Sequence, residues 1–213
     1  PEFYDENSPT LRVGGGITKN FETIKHDFKM YSLSNSYSKS DLEDWEKRNR
    51  KIIEGAVAYV CELKYDGASI NLTYENGVLL RAVTRGDGTQ GDDVTRNIKT
   101  INSVPLKLKG DFPDKFEIRG EIILPFAGFE KMNQELIDIG ETPYSNPRNT
   151  ASGSLKLQDS TEVSKRPLEC LLYFIIGQNL PISSQIESLE SARSWGFKVP
   201  NETRLAKNLN QVF

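Results

Sequence analysis

ASINLTYENGVLLRAVT, residues 68–84, alternates at a period of two on both sides of Asn76-Gly77. That dipeptide is the strongest short-range signal for a two-residue hairpin turn. The spacing predicts a strand over 68–74, with Ile70, Leu72 and Tyr74 on one face, and a second over 78–84. Just upstream, residues 58–65 alternate as well and Asp66-Gly67 reads as a turn. Three strands joined this tightly are expected to form an antiparallel meander.

Working outward, residues 116–124 alternate again, with Phe116, Ile118, Ile122 and Leu124 expected on a buried face and Glu117, Arg119 and Glu121 on the other. Pro125 suits the start of a helix whose apolar positions are Phe126, Phe129, Met132, Leu136 and Ile137, with Gly140 as its stop. A short helix is expected over 147–157, a buried strand over 168–176, and a last helix capped at Ser184 and Glu187 and ending at Gly196. Upstream, Ser40 and Glu43 fit a capping box opening a helix through about Ile53, with Leu42, Trp45, Asn49 and Ile52 as its packing face. Residues 1–39 read as connecting structure. Gly14 to Gly16 are not a phosphate loop, because no Lys-Ser or Lys-Thr follows at the required spacing. The resulting order is α+β, antiparallel sheets with packed helices.

Composition narrows the function. With 213 residues the chain can bury a core without staples. Lys plus Arg 27 against Asp plus Glu 30 leaves a net charge of -3, so any basic surface must be local. Cys61 and Cys170 lie in apolar runs without CxxC spacing, which argues against a zinc site or a disulfide framework. No apolar run reaches the ~18 residues of a membrane helix and the N-terminus does not look like a secretion signal, so a cytoplasmic protein is expected. The single histidine, His26, speaks against an imidazole metal site or a Ser-His-Asp triad.

The chemistry concentrates in Glu62-Leu63-Lys64-Tyr65-Asp66-Gly67. On a strand, residues two apart share a face, so Glu62 and Lys64 are expected to project together beside a turn that offers the Asp66 carboxylate. A lysine among carboxylates is ordinarily a solvated ion pair. Here Thr84-Arg85-Gly86-Asp87-Gly88 closes the third strand, a natural place to return a guanidinium toward Lys64, and its glycines admit a ligand close to the backbone. A lysine nucleophile reacts as the neutral amine, a form favoured by neighbouring cations and by desolvation. Arg85 and Arg119 are the cations at hand, and Glu62 and Asp66 oppose them.

ELKYDG resembles the KxDG motif of the nucleotidyltransferases, which include DNA ligases, RNA ligases and capping enzymes. TRGDGTQGDDVTRNIKTI at 84–101, IRGEIIL at 118–124 and NPRNTASGSLK at 146–156 follow in order, and together the four resemble the bacterial NAD-dependent DNA ligases over essentially the whole chain. The resemblance implies the nucleotidyltransferase (ATP-grasp-like ligase) fold, in truncated form. It implies that Lys64 attacks the α-phosphate of NAD, expels nicotinamide mononucleotide and carries AMP, for later sealing of 5′-phosphate/3′-hydroxyl nicks in duplex DNA. Glu62 would contact the adenine side, Ser32 and Leu33 would line the adenylate pocket, Arg85 would reach ribose or phosphate, Glu121 would hold the ribose hydroxyls, Asp66 would orient the turn, and Tyr173 would stack on the base. Arg148 and Lys156 would lie against the nicked DNA backbone. Magnesium is expected for the phosphoryl chemistry, with no metal ligands assigned in this chain. Zinc would belong only to a downstream module, and the protein is expected to be a monomer.

The match departs from the family at both ends. Residues 1–16 resemble only the tail of the N-terminal helical subdomain that recognises the nicotinamide half, leaving 17–213 as an adenylation core incomplete at its C-terminal end. No DGxVxK-like strand or later lysine motif follows Trp195. This stretch alone is therefore expected to fold but not to seal nicks or adenylate itself at a useful rate. The alternatives are an ATP-dependent ligase or capping-type enzyme, which would share the lysine but not the TRGDG and NPRN segments, and a non-catalytic nucleotide-binding module.

Overall fold

The computed structural model describes residues 20–213; the expectations for residues 1–16 fall outside them. The chain forms two compact units. One runs to Met30 and from Tyr65 to Val199, the other comprises Tyr31–Lys64 and Pro200–Phe213. In chain order the strands are β1 (Thr23–Lys25), β2 (Tyr59–Cys61), β3 (Ala68–Glu75), β4 (Val78–Thr84), β5 (Gln90–Asp92), β6 (Lys115–Ile123), β7 (Glu169–Ile176) and β8 (Arg204–Ala206). The helices are α1 (Lys39–Asn49), α2 (Thr95–Ile98), α3 (Phe126–Asp138), α4 (Pro147–Leu155), α5 (Ser160–Ser164) and α6 (Gln185–Trp195).

The first unit is built on an antiparallel sheet in the order β4-β3-β6-β7. Asn76 and Gly77 both take positive φ (51° and 75°), as a two-residue hairpin between β3 and β4 demands. Register puts Ile70, Leu72 and Tyr74 of β3 opposite Gly120, Ile118 and Phe116 of β6, and all three are fully buried. On that face Tyr74 stacks on Phe116 at 5.7 Å and meets Phe197 edge-on at 5.1 Å, while Phe116 reaches Trp195 of α6 at 4.9 Å. Ser184 caps α6 by accepting from the Glu187 amide, and Gly196 closes it in the left-handed conformation, as the sequence predicts. Asn146 caps α4 in the same way, with Pro147 at its first position.

Several expectations need correction. The meander does not include residues 58–65: β2 pairs with β8, and the central strand β3 takes β6 as its second neighbour. The partner of β2 is only three residues long, so ladder pairing ends at Cys61 and Glu62 to Asp66 are irregular. On β6 the face opposite the apolar one is covered as well at Glu117 and Arg119, which are 4% and 8% exposed. Finally, the capping box of α1 is Ser38 with Asp41, two residues earlier than expected. That helix ends at Asn49, where the Asn49 side-chain amide donates to the Trp45 carbonyl (3.0 Å).

The second unit holds α1, the β2–β8 ladder and a short 3-10 helix at Leu209–Gln211. Leu42, Trp45, Asn49 and Ile52 do not form a buried face, since α1 has no buried residue and Ile52, beyond its end, is exposed. Trp45 tilts against Tyr59 at 5.9 Å, and the Tyr59 hydroxyl donates to Glu46 (2.5 Å). Cys61 and Cys170 are both free thiols. Among the described residues no helix is long and apolar enough to cross a membrane.

Candidate active site

The turn after Lys64 is held from β6. Gly67 is buried, and a side chain there would collide with the Ile122 carbonyl, so this position has room only for glycine. Its amide donates to Oε1 of Glu121 at 3.2 Å. The carboxylate of the IRGEI segment thus touches the turn of the KYDG segment, 54 residues away in sequence.

Beside Glu121, register places Ser69 of β3 directly opposite. Along β7, Gly120 pairs with Leu172 and Arg119 with Phe174, leaving Tyr173 as the extra residue of a β-bulge. Bulges re-aim a side chain, and the Tyr173 hydroxyl lies 3.1 Å from that of Ser69. Its backbone carbonyl accepts from the Gln185 amide at 2.7 Å. Burial pushes the Tyr173 phenol above its ordinary range. Ser69, Glu121 and Tyr173 therefore form one polar group on the sheet, at the end where Gly67 turns. Nothing in the sequence around Ser69 marks it; only the β3–β6 register brings it opposite Glu121.

Arg85 is exposed at the end of β4. Its carbonyl accepts from Nε2 of His26 at 3.2 Å. The loop after it is held by Asp87, which accepts from the Thr89 hydroxyl (2.7 Å), the Thr89 amide (2.8 Å) and the Gln90 amide (3.0 Å). These donors lower the Asp87 carboxyl to about 2. The Met30 amide closes onto the Gly88 carbonyl at 2.9 Å. His26, isolated in the sequence, thus positions the arginine loop.

Arg119 is not a free cation. Its Nη2 donates to the carbonyls of Phe28 (2.8 Å) and Lys29 (3.1 Å), and its guanidinium lies 5.8 Å from the Phe174 ring centroid. Burial is the main cause both of the raised Glu117 carboxyl and of the lowered Arg119 guanidinium.

The NPRN segment is α4 with its cap. Arg148 pairs with Asp66 at 3.3 Å, and Lys156 with Asp92 at 2.7 Å. Asn97, from the TRNIKT run, donates to the carbonyls of Leu155 (2.7 Å) and Leu157 (2.8 Å), satisfying the end of α4. Three of the four sequence motifs are thus joined through α4.

Ser32, Leu33, Glu62 and Lys64 belong to the second unit, and all four are exposed there. Glu62 and Lys64 lie beyond the end of β2, so a shared strand face does not relate them. Among the described residues no group of three or more His, Cys, Asp or Glu could hold a metal ion.

A family model described as the NAD-dependent DNA ligase adenylation domain matches residues 18–213. The chain is 75% identical to a DNA ligase of Flavobacterium psychrophilum, 70% to one of Flavobacterium johnsoniae and 46% to one of Cytophaga hutchinsonii. Each alignment covers 100% of this chain and 32% of the relative, so the chain spans about a third of the length of these curated relatives. The chain belongs to the family of NAD-dependent DNA ligase adenylation domains.

Proposed function

We propose that the chain carries the self-adenylation chemistry of an NAD-dependent DNA ligase, with residues 17–213 as the adenylation core and 1–16 as the tail of a helical subdomain. The neutral Lys64 amine attacks the α-phosphorus of the adenylate half of NAD. A P–N bond forms and the pyrophosphate P–O bond breaks. Nicotinamide mononucleotide leaves with the bonding pair, and the amine proton passes to solvent. AMP then moves to the 5′-phosphate of a nick, and attack by the 3′-hydroxyl closes the phosphodiester and releases AMP.

The observation that carries this reading is the hydrogen bond from Gly67 to Glu121. It holds the Glu121 carboxylate, to which the proposed mechanism gives the ribose hydroxyls, against the Asp66-Gly67 turn. Tyr173 supplies the aromatic face for adenine, and Ser32, Leu33, Glu62 and Arg85 complete the nucleotide contacts. Asp66 orients the turn through its pair with Arg148. Magnesium in chemistry of this kind is held largely by substrate phosphates with few protein ligands, and no residue is assigned to it. The partners are NAD and nicked duplex DNA, and the protein acts as a cytoplasmic monomer.

Intact-mass measurement of the full-length protein after incubation with NAD and magnesium tests the reading. One AMP is gained with NAD and not with ATP, and Lys64→Ala abolishes the gain while leaving the fold intact. An adduct that persists on Lys64→Ala, mapped to another lysine, refutes it. The 213-residue chain by itself gains AMP only very slowly in the same measurement.

A further inference from the structure

After β1 the chain bends at Asp27 and Phe28. Successive carbonyls of an extended strand point to opposite sides. Here the carbonyls of Phe28 and Lys29 both accept from one atom, Nη2 of Arg119, at 2.8 and 3.1 Å. That guanidinium rises from β6 and is 8% exposed, so the bend is wrapped on a buried cation.

On either side of the bend the same segment grips the loop that follows β4. The His26 amide donates to the Thr89 carbonyl and the Met30 amide to the Gly88 carbonyl, each at 2.9 Å. The His26 ring adds its bond to the Arg85 carbonyl at 3.2 Å. A Cβ at Gly88 would lie 2.5 Å from the Met30 carbonyl oxygen, so the two stretches meet backbone to backbone. Arg85 is held from β3 as well, because its amide donates to the carbonyl of Ser69 at 3.2 Å. Its backbone is thus pinned on two sides, while its side chain is exposed.

From this chain of contacts we propose that the bend at residues 26–30, wrapped on Arg119, is a clamp that positions Arg85 for the ribose or phosphates of NAD. The proposal deepens the nucleotide-binding part of the reading above and rests on it. The N–H groups of a guanidinium diverge within a rigid plane, so they select where two carbonyls sit. An apolar side chain would fill the same volume without selecting a register for the bend. Arg119 touches no atom of the nucleotide; it acts through the bend and is a positioning residue. Placement matters because a contact displaced by about 1 Å loses about a hundredfold in rate.

The test uses the full-length protein and the rate of AMP gain as the NAD concentration is varied. Arg119→Lys keeps the charge but not the planar fork. It raises the half-saturating NAD concentration about tenfold, the equivalent of one charge-assisted hydrogen bond, and changes the maximal rate far less. Arg85→Ala raises it as well, and Arg119→Lys added to Arg85→Ala raises it no further, because the clamp acts only through Arg85. Hydrogen exchange reads the clamp apart from activity: in Arg119→Lys the His26 and Met30 amides exchange faster while those of β3 do not. If Arg119→Lys fails to fold, His26→Leu, which removes the same segment's ring bond to Arg85, is put through the same cycle. A parental half-saturating concentration in either single variant, or effects that multiply in the double variant, overturns the proposal. Absence of AMP gain in the parent refutes the ligase reading separately, and unaltered exchange at His26 and Met30 then overturns the clamp on its own.

Discussion

Replacing Arg119 by methionine should unfold the first unit far more readily than its place on a nominally polar strand face suggests. The side chain is 8% exposed, and its Nη2 donates to the carbonyls of Phe28 and Lys29. A hydrogen bond from a charged donor contributes about 1.5–3 kcal/mol, so the two together contribute roughly 3–6 kcal/mol. Methionine recovers part of that by keeping the stem packed, which leaves a net loss of about 3–5 kcal/mol, the range for removing one partner from a buried charged group. Urea titration followed by Trp195 fluorescence measures it. Trp195 is 3% exposed in the first unit, whereas Trp45 is in the second, so a Trp45→Phe background isolates the signal. Arg119→Lys keeps the charge but not the fork and should fall between the two. Glu117→Gln added to Arg119→Met should recover part of the loss, because the methionine variant leaves Glu117 buried without its neighbouring cation. An Arg119→Met midpoint equal to that of the parent would refute this account of the buried polar layer.

Glu121→Gln retains an acceptor for the Gly67 amide, so stability should change little while AMP binding weakens roughly tenfold by calorimetry, the difference between a charged and a neutral hydrogen bond; unchanged binding would remove Glu121 from the nucleotide site. Asn97→Ala leaves the buried Leu155 carbonyl and the part-buried Leu157 carbonyl without their donor and should lower the urea midpoint of the first unit by the equivalent of about 2 kcal/mol. Asp87 has a folded value near 2 against an ordinary 3.8, so its stabilising contribution is full above about pH 4 and disappears as pH falls toward 2. Parent and Asp87→Asn stabilities should therefore converge on acidification from pH 5, and a gap that widens instead would contradict the assigned hydrogen bonds.

Local signals determined much of this molecule. Asn76-Gly77 sets the β3–β4 hairpin because both residues tolerate positive φ at little cost. Ser184, Asn146 and Gly196 end their helices because side-chain and backbone groups a few residues apart satisfy one another. The four motifs named the family for the same reason, being contiguous runs legible without the fold. What lies between elements distant in sequence was decided only by tertiary structure. The alternation over residues 58–65 gives no hint of pairing with Arg204–Ala206, some 140 residues later, and the shortness of that partner ends the strand before Lys64. Glu117, Arg119 and Glu121 read identically as the polar face of one strand. Yet the segment ending at Met30 buries the first two, while Glu121 meets the Gly67 turn. Period-two alternation reports which residues share a face, but which of those faces another segment covers depends on contacts that one strand's sequence does not contain.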